Sequence, residues 1–320
     1  MASCAGQQRG SEVPIGIDFE TTYGSDPGSP ALVQVPYISE SITANRAQNE
    51  DDSIDGRRDP KRPSQGNTDV SGNIVVPVDK NYFPYWLKAM FGAPTTTGAG
   101  PYTHEYKVDN TNCQPSFLLQ KDFADIPQFF KYNGLKINSM AFAFEGDGLL
   151  QCTIDVVGAS LTESGTDYDA TPTTHNYQRY RFLDLTLNEG GSASTEFTQL
   201  SFNIGSNLQT DVYPIGGGGN RTALPEGKYS IGGNGRVLFD NMNLYNKALN
   251  ATESSIEVIG TSGTDSLTID FNEVEYGLNS PQVPGNEGVF LDLDFQAYFD
   301  DHADDSSIVI TVVNDIASYA

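Results

Sequence analysis

Two stretches of this 320-residue chain carry the same arrangement in the same order. Each opens on a Gly-rich lead-in, Val70-Ser-Gly-Asn-Ile-Val-Val-Pro-Val-Asp79 in one and Ile231-Gly-Gly-Asn-Gly-Arg-Val-Leu-Phe-Asp240 in the other, so that Gly72 and Asp79 match Gly233 and Asp240 at one constant offset. An apolar run at helical spacing follows in both copies, with Lys88-Ala-Met90 echoed by Lys247-Ala-Leu249. Strand-like segments come next. Pro115–Gln120 aligns with Asp265–Asp270, Gly134 and Gly288 each lead a strand, and Thr153–Val157 and Val309–Val313 close the two halves. Repetition of a whole series of elements predicts a duplicated domain. The expected division is an N-terminal arm over 1–35, a first β domain over 36–160, a polar linker over 161–178 and a second β domain over 179–320.

Within each half, short runs such as Leu135–Phe144, Ser266–Phe271 and Ile308–Val313 alternate apolar and polar residues and are rich in β-branched and aromatic types. That period-two pattern predicts strands, and the chain is expected to be mainly β. Tyr82, Phe83, Trp86, Leu87 and Met90 instead recur at helical spacing before Gly92, and Met242, Leu244, Tyr245 and Leu249 form a shorter version. Pro84 places the start of the first helix near Phe83, because proline suits a first turn and breaks an interior one. Trp86 and its neighbours are read as a helix face covering a sheet rather than as a sugar platform.

The formal charge is −24, from 18 basic and 42 acidic residues. A net negative field opposes adhesion to phosphate backbones, which speaks against tight nucleic-acid binding. Cys4, Cys113 and Cys152 cannot all pair within one chain and form no Cys-x-x-Cys; free thiols are expected. Met1–Gly10 has neither the charged start nor the apolar run of a secretory signal, and no window has the length of apolar sequence that a membrane span requires.

Arg57, Arg58, Lys61 and Arg62 concentrate basic charge between Gly56 and Gly66 and are the candidate contact residues between subunits or rings. Docking on an acidic neighbour, a solvated loop and contact with a passing phosphate backbone all fit this pattern. Gly216–Gly219 lacks the Gly-Lys-Ser/Thr of a phosphate cradle and reads as the flexible tip of the corresponding loop in the second half. Asp300, Asp301, Asp304 and Asp305 lack calcium-loop spacing and read as a solvated turn. His104, His175 and His302 are scattered, and no metalloprotease or nucleophile-elbow motif occurs. No catalytic, cofactor or metal residue is therefore nominated.

The ordered series resembles the phage tail tube family. The resemblance is carried by Glu20–Pro27, Asp69–Pro77, Leu87–Gly92, Tyr102–Tyr106, Pro115–Leu119, Tyr132–Asn138, Asn203–Leu208, Leu224–Lys228 and Phe290–Ala297. It implies tandem tail-tube-like β-sandwich domains, each with a short flanking α-helix, whose wall strands join between subunits as a β-barrel. Single-domain members form hexameric rings, so a duplicated chain implies stacked homotrimeric rings of pseudo-sixfold symmetry, with a hexamer if one domain stays outside the wall. Implied partners are further copies of the chain, a tape-measure protein, and tail tip or baseplate and terminator proteins, with double-stranded DNA as passing cargo and no membrane. Location in the virion tail, after assembly in the host cytoplasm, follows. Two alternatives are a distal tail or hub ring protein of the same fold and a virion adhesin or carbohydrate-binding β protein.

Overall fold

The computed structural model describes residues 8–146, 148–283 and 285–319; Cys4 lies outside them. The described chain is mainly β. The strands are β1 (Ile15–Phe19), β2 (Val33–Val35), β3 (Ser39–Glu40), β4 (Thr43–Asn49), β5 (Ser64–Pro77), β6 (Thr95–Thr97), β7 (Tyr102–Lys107), β8 (Phe117–Phe123), β9 (Gln128–Glu145) and β10 (Gln151–Gly158). They continue as β11 (Ser160–Ser164), β12 (Leu185–Glu189), β13 (Ser192–Ala193), β14 (Phe197–Gly205), β15 (Ser230–Leu238), β16 (Ser254–Ser262), β17 (Asp265–Tyr276), β18 (Phe290–Ala297) and β19 (Val309–Asn314). Two helices intervene, α1 (Phe83–Phe91) and α2 (Asn243–Leu249).

One layer is a continuous antiparallel sheet in the order β4, β5, β10, β9, β14, β15, β18 and the end of β17. It will be called the wall. The other layer has two parts: β2, β1, β8, β9 and β11 in the first half, and β12, β16, β17, β19, β7 and β6 in the second. Long strands β9 and β17 serve both layers, which their register shifts and bends allow. Gly134 marks the bend in β9 at φ 67°, where a Cβ would lie 2.8 Å from that of Ala159.

The pairings correspond strand for strand between the halves. β1, β4, β5, β8, β9, β10 and β11 occupy the places of β12, β14, β15, β16, β17, β18 and β19, and α1 that of α2. This corrects the strand matches drawn from sequence, which slip by one element after the helix. Pro115–Gln120 leads into β8 and so matches β16, not the β17 segment Asp265–Asp270; Thr153–Val157 belongs to β10 and matches β18, not β19. Alternation makes any two half-buried strands look alike, and only their hydrogen-bonded neighbours distinguish them.

The core lies between the layers. Phe83, Trp86, Leu87 and Met90 of α1 are buried, with Trp86 edge-on to Phe117 of one layer (5.9 Å) and Phe83 edge-on to Phe142 of the wall (5.9 Å). From Phe142 an aromatic seam crosses into the second half through Phe202 (4.7 Å) and Phe271 (4.9 Å) to Phe295 (5.7 Å). α2 buries only Leu244 and Ala248 and is held instead by Lys247, which bonds both Glu189 oxygens at 2.7 and 2.8 Å.

The halves interlock. β7 of the first half pairs with β19 of the second, and buried Lys80 reaches Asp265 (2.9 Å) and the Ser262 carbonyl (3.0 Å). The polar segment after β11 is tied to the first half: Asp169 accepts the Leu32 N–H, Thr173 exchanges backbone bonds with Leu32 and Gln34, and the Tyr82 hydroxyl donates to the His175 carbonyl (2.5 Å).

Candidate functional site: the exposed wall face and its loops

One face of the wall packs on the core through Ile74, Ile154, Met140, Phe142, Leu200, Phe202, Leu293 and Phe295. Strand alternation sends the intervening residues to the opposite, open face. Asn73, Asp155 and Ser139 adjoin one another there, as do Thr153 and Ala141, Asn203 and Gly232, and Ser201 with Ala143 on one side and Asn234 on the other. Next to them, Asn234 pairs with Asp294 and Arg236 with Asp292. The residues are small and mostly uncharged, and the charges are chiefly acidic: Glu145, Asp155, Asp292 and Asp294. Among the described residues, two basic side chains of the strands lie on this face: Arg236, 4.0 Å from Asp292 and stacked on Phe290, and Lys136, buried beneath loop 206–229 and paired with Glu226. The arrangement offers a polyanion neither a row of cations nor a large apolar surface.

Both wall hairpins carry long loops, and antiparallel pairing puts residues 50–63 after β4 and 206–229 after β14 at the same end of the wall, here its upper end. The structure brings all four nominated basic residues onto the first loop. Arg57 bonds Asp59 (2.9 Å), while Lys61 lies 3.2 Å from Asp55 and 3.9 Å from Asp51. Arg58 and Arg62 are exposed. Glu50, Asp51, Asp52, Asp55 and Asp59 of the same loop outnumber its four basic residues, so the loop as a whole is not positive, which attention to the basic residues alone overlooked.

The second loop differs from its reading as a flexible tip. It folds down across β9 and β10 onto β5: the Thr68 N–H donates to the Gly219 carbonyl (2.8 Å), and the Tyr213 hydroxyl donates to the Thr68 carbonyl (3.3 Å). Arg221, 6% exposed, organises the contact. It donates to the carbonyls of Thr210 (2.6 Å) and Gly158 (3.1 Å) and to the Asp69 carboxylate, and it lies over the Tyr213 ring. Leu208 and Leu224 pack on Val157 beneath it. Sequence reasoning passed over Arg221; the available signal was an isolated arginine in a Gly-rich loop of an acidic chain.

Other singled-out residues have local structural partners. The Glu273 carboxylate accepts the N–H groups of Asp300 (2.7 Å) and Asp301 (3.1 Å), fixing the acidic turn, and no cluster of three or more metal-ligating side chains occurs among the described residues. His104 packs edge-on against Tyr319 and bonds Thr96 and the Ile316 carbonyl; burial lowers its pKa. His175 sits against Tyr82 and Tyr85, and His302 beside Asp304, so the three imidazoles occupy separate places. Cys152 is buried and free, and Cys113 is free and exposed. No helix is long and apolar enough to cross a membrane among the described residues.

Among known families, the model described as phage tail tube protein matches residues 10–297. No curated protein matches the chain.

Proposed function

The chain belongs to the phage tail tube protein family, a structural component of the virion tail, and from that premise we propose that it forms stacked homotrimeric rings whose bore conducts the genome. The observation that carries this reading is the joint inside the chain. There β9 of the first half pairs with β14 of the second from Gln199↔Glu145 to Gly205↔Ser139. β4 stands in the first half where β14 stands in the second, and the end of β17 corresponds to the end of β9. The outer edge of β17 is therefore suited to accept β4 of the next chain as β9 accepts β14. Three tandem units joined in this way leave no free wall edge, removing the unpaired N–H and C=O groups that make an open sheet prone to aggregation.

Closure turns the core-facing side outward and the polar, acidic face toward the bore. DNA would pass there as cargo, after a tape-measure protein had occupied the same space. The lower end of the wall exposes Leu149, Leu238, Leu278 and Val283 and the upper end exposes Ile215, apolar positions suited to burial between rings. Tip or baseplate and terminator proteins would bound the stack, with assembly in the host cytoplasm. In this reading the two halves are tandem domains, but the first reaches beyond 36–160, since β1 and β2 within 1–35 and β11 within 160–164 are strands of its sheet; the remainder of 161–178 connects it to the second domain over 179–320. The basic loop makes subunit contacts.

Electron microscopy of the purified protein, alone and with tail tips, tests the proposal. Stacked hollow rings with true threefold and approximate sixfold symmetry are expected. Persistent monomers under both conditions would sink it, and rings containing six chains would place one half outside the wall.

A further inference from the structure

The in-chain joint is more than a strand pairing, because loop 206–229 reaches past it and covers the end of β10 in the neighbouring half. Gly158 at that end pairs with Val70; the corresponding pair in the second half is Ala297 of β18 with Ile231 of β15. At this second place the described residues supply no such cover. A cleft of about 580 Å3 opens there instead, with Asp109, Glu226, Tyr229, Tyr298, Phe299 and Asp305 in its lining. Gln114 also lines the cleft and is 6% exposed, and its buried Oε1 has no hydrogen-bond partner.

We infer that this cleft receives the hairpin tip 50–63 of a lateral neighbour in the ring, an inference that rests on the ring reading above. Corresponding positions supply the first reason: the tip belongs to the β4–β5 hairpin, which matches the β14–β15 hairpin whose loop makes the in-chain cover. Chemistry supplies the second. The tip presents the fully exposed Ile54 where the in-chain loop supplies Leu208 and Leu224; its five acids outnumber its four bases, but Arg58 and Arg62 stay exposed beside the ion pairs of Arg57 and Lys61 and can meet individual carboxylates of the cleft. Geometry supplies the third. Tip and cleft lie at the same end of the wall, whereas a ring stacked head to tail offers its opposite end, so the receiver is a copy within the same ring.

The cleft already carries the exposed Cys113, so Ile54→Cys places a second thiol on the segment that should enter it. Mild oxidation of assembled tubes of this variant should give bands of two and three chains and nothing larger on a non-reducing gel, which a reductant collapses to one chain, and adding Cys113→Ser should abolish them. A ladder extending beyond three chains would mean that the tip reaches another ring and would overturn the inference. So would the absence of cross-links in tubes that microscopy shows to be intact. If no rings form at all, the ring reading itself fails and takes this inference with it.

Discussion

Asp79 and Asp270 are two acids whose pKa burial raises alike, each to about 6 from an ordinary 3.8, although only Asp79 is surrounded by hydrogen-bond donors. Asp79, 2% exposed ahead of α1, accepts the N–H groups of Asn81 (3.1 Å), Tyr82 (3.0 Å) and Phe83 (2.8 Å), satisfying donors that a helix start leaves free. Its counterpart Asp240 is exposed, and Asn241 instead caps α2 by accepting the Asn243 N–H. Asp270 receives no comparable compensation: burial, then the charge of Glu257 across the strand pair, raises its pKa to about 6 from an ordinary 3.8. A carboxyl raised in this way destabilises the fold when it is ionised. The penalty is fully present above about pH 6 and disappears as the pH falls through 6 toward 4. Asp270→Asn should therefore stabilise the protein at pH 7.5, by about 1 kcal/mol once solvent screening of this half-buried group is allowed for, and change little at pH 4. Thermal unfolding of both proteins at the two pH values checks this; an equal difference at both would exclude ionisation of Asp270 as its cause.

At the scale of elements, loop 206–229 is ordered by one side chain. Arg221→Ala removes the guanidinium bonds to Thr210, Gly158 and Asp69 and exposes Leu208 and Leu224 to loosening. A loss of about 2–3 kcal/mol is expected, much of it from leaving the Gly158 carbonyl and the Asp69 carboxylate without their partner. The effect should be local: amide exchange at Thr68, bonded to Gly219, should accelerate while that of Ile154 in the wall core stays slow. Unchanged protection at Thr68 would show that the backbone holds the loop without Arg221. Such a clamp was not legible in the sequence, whereas the strands and both helices were. Alternation reports which face of a strand is buried, and the Phe83–Met90 spacing reports a helix face, because both are local consequences of backbone period. Strand neighbours and loop partners are set by contacts far along the chain. That is why the duplicated order was visible while its strands were matched one place out, and why the four basic residues were found without the acids that pair two of them.

For the whole molecule, the small polar face of the wall acquires its meaning only when the sheet closes. In the proposed ring, Ser139, Ser201, Asn203, Asn234 and Asp294 of this face would line the bore and would hold no DNA phosphate by charge, so passage would meet little electrostatic friction. Ser201→Lys together with Asn203→Lys tests this, since both positions are exposed and neighbour Asn234 and Gly232 rather than the core. Fold and ring formation should survive, because the added side chains project into open space. Repeated around each ring and along the stack, however, the new cations would bind successive phosphates. Ejection from virions carrying the double variant, followed by a DNA-binding dye, should be slower than from parent virions at low salt and should approach the parental rate as salt screens the contacts. Parental ejection at low salt from intact variant tails would place this face away from the DNA path. A slowing that salt does not relieve would instead point to blockage of the bore by the longer side chains.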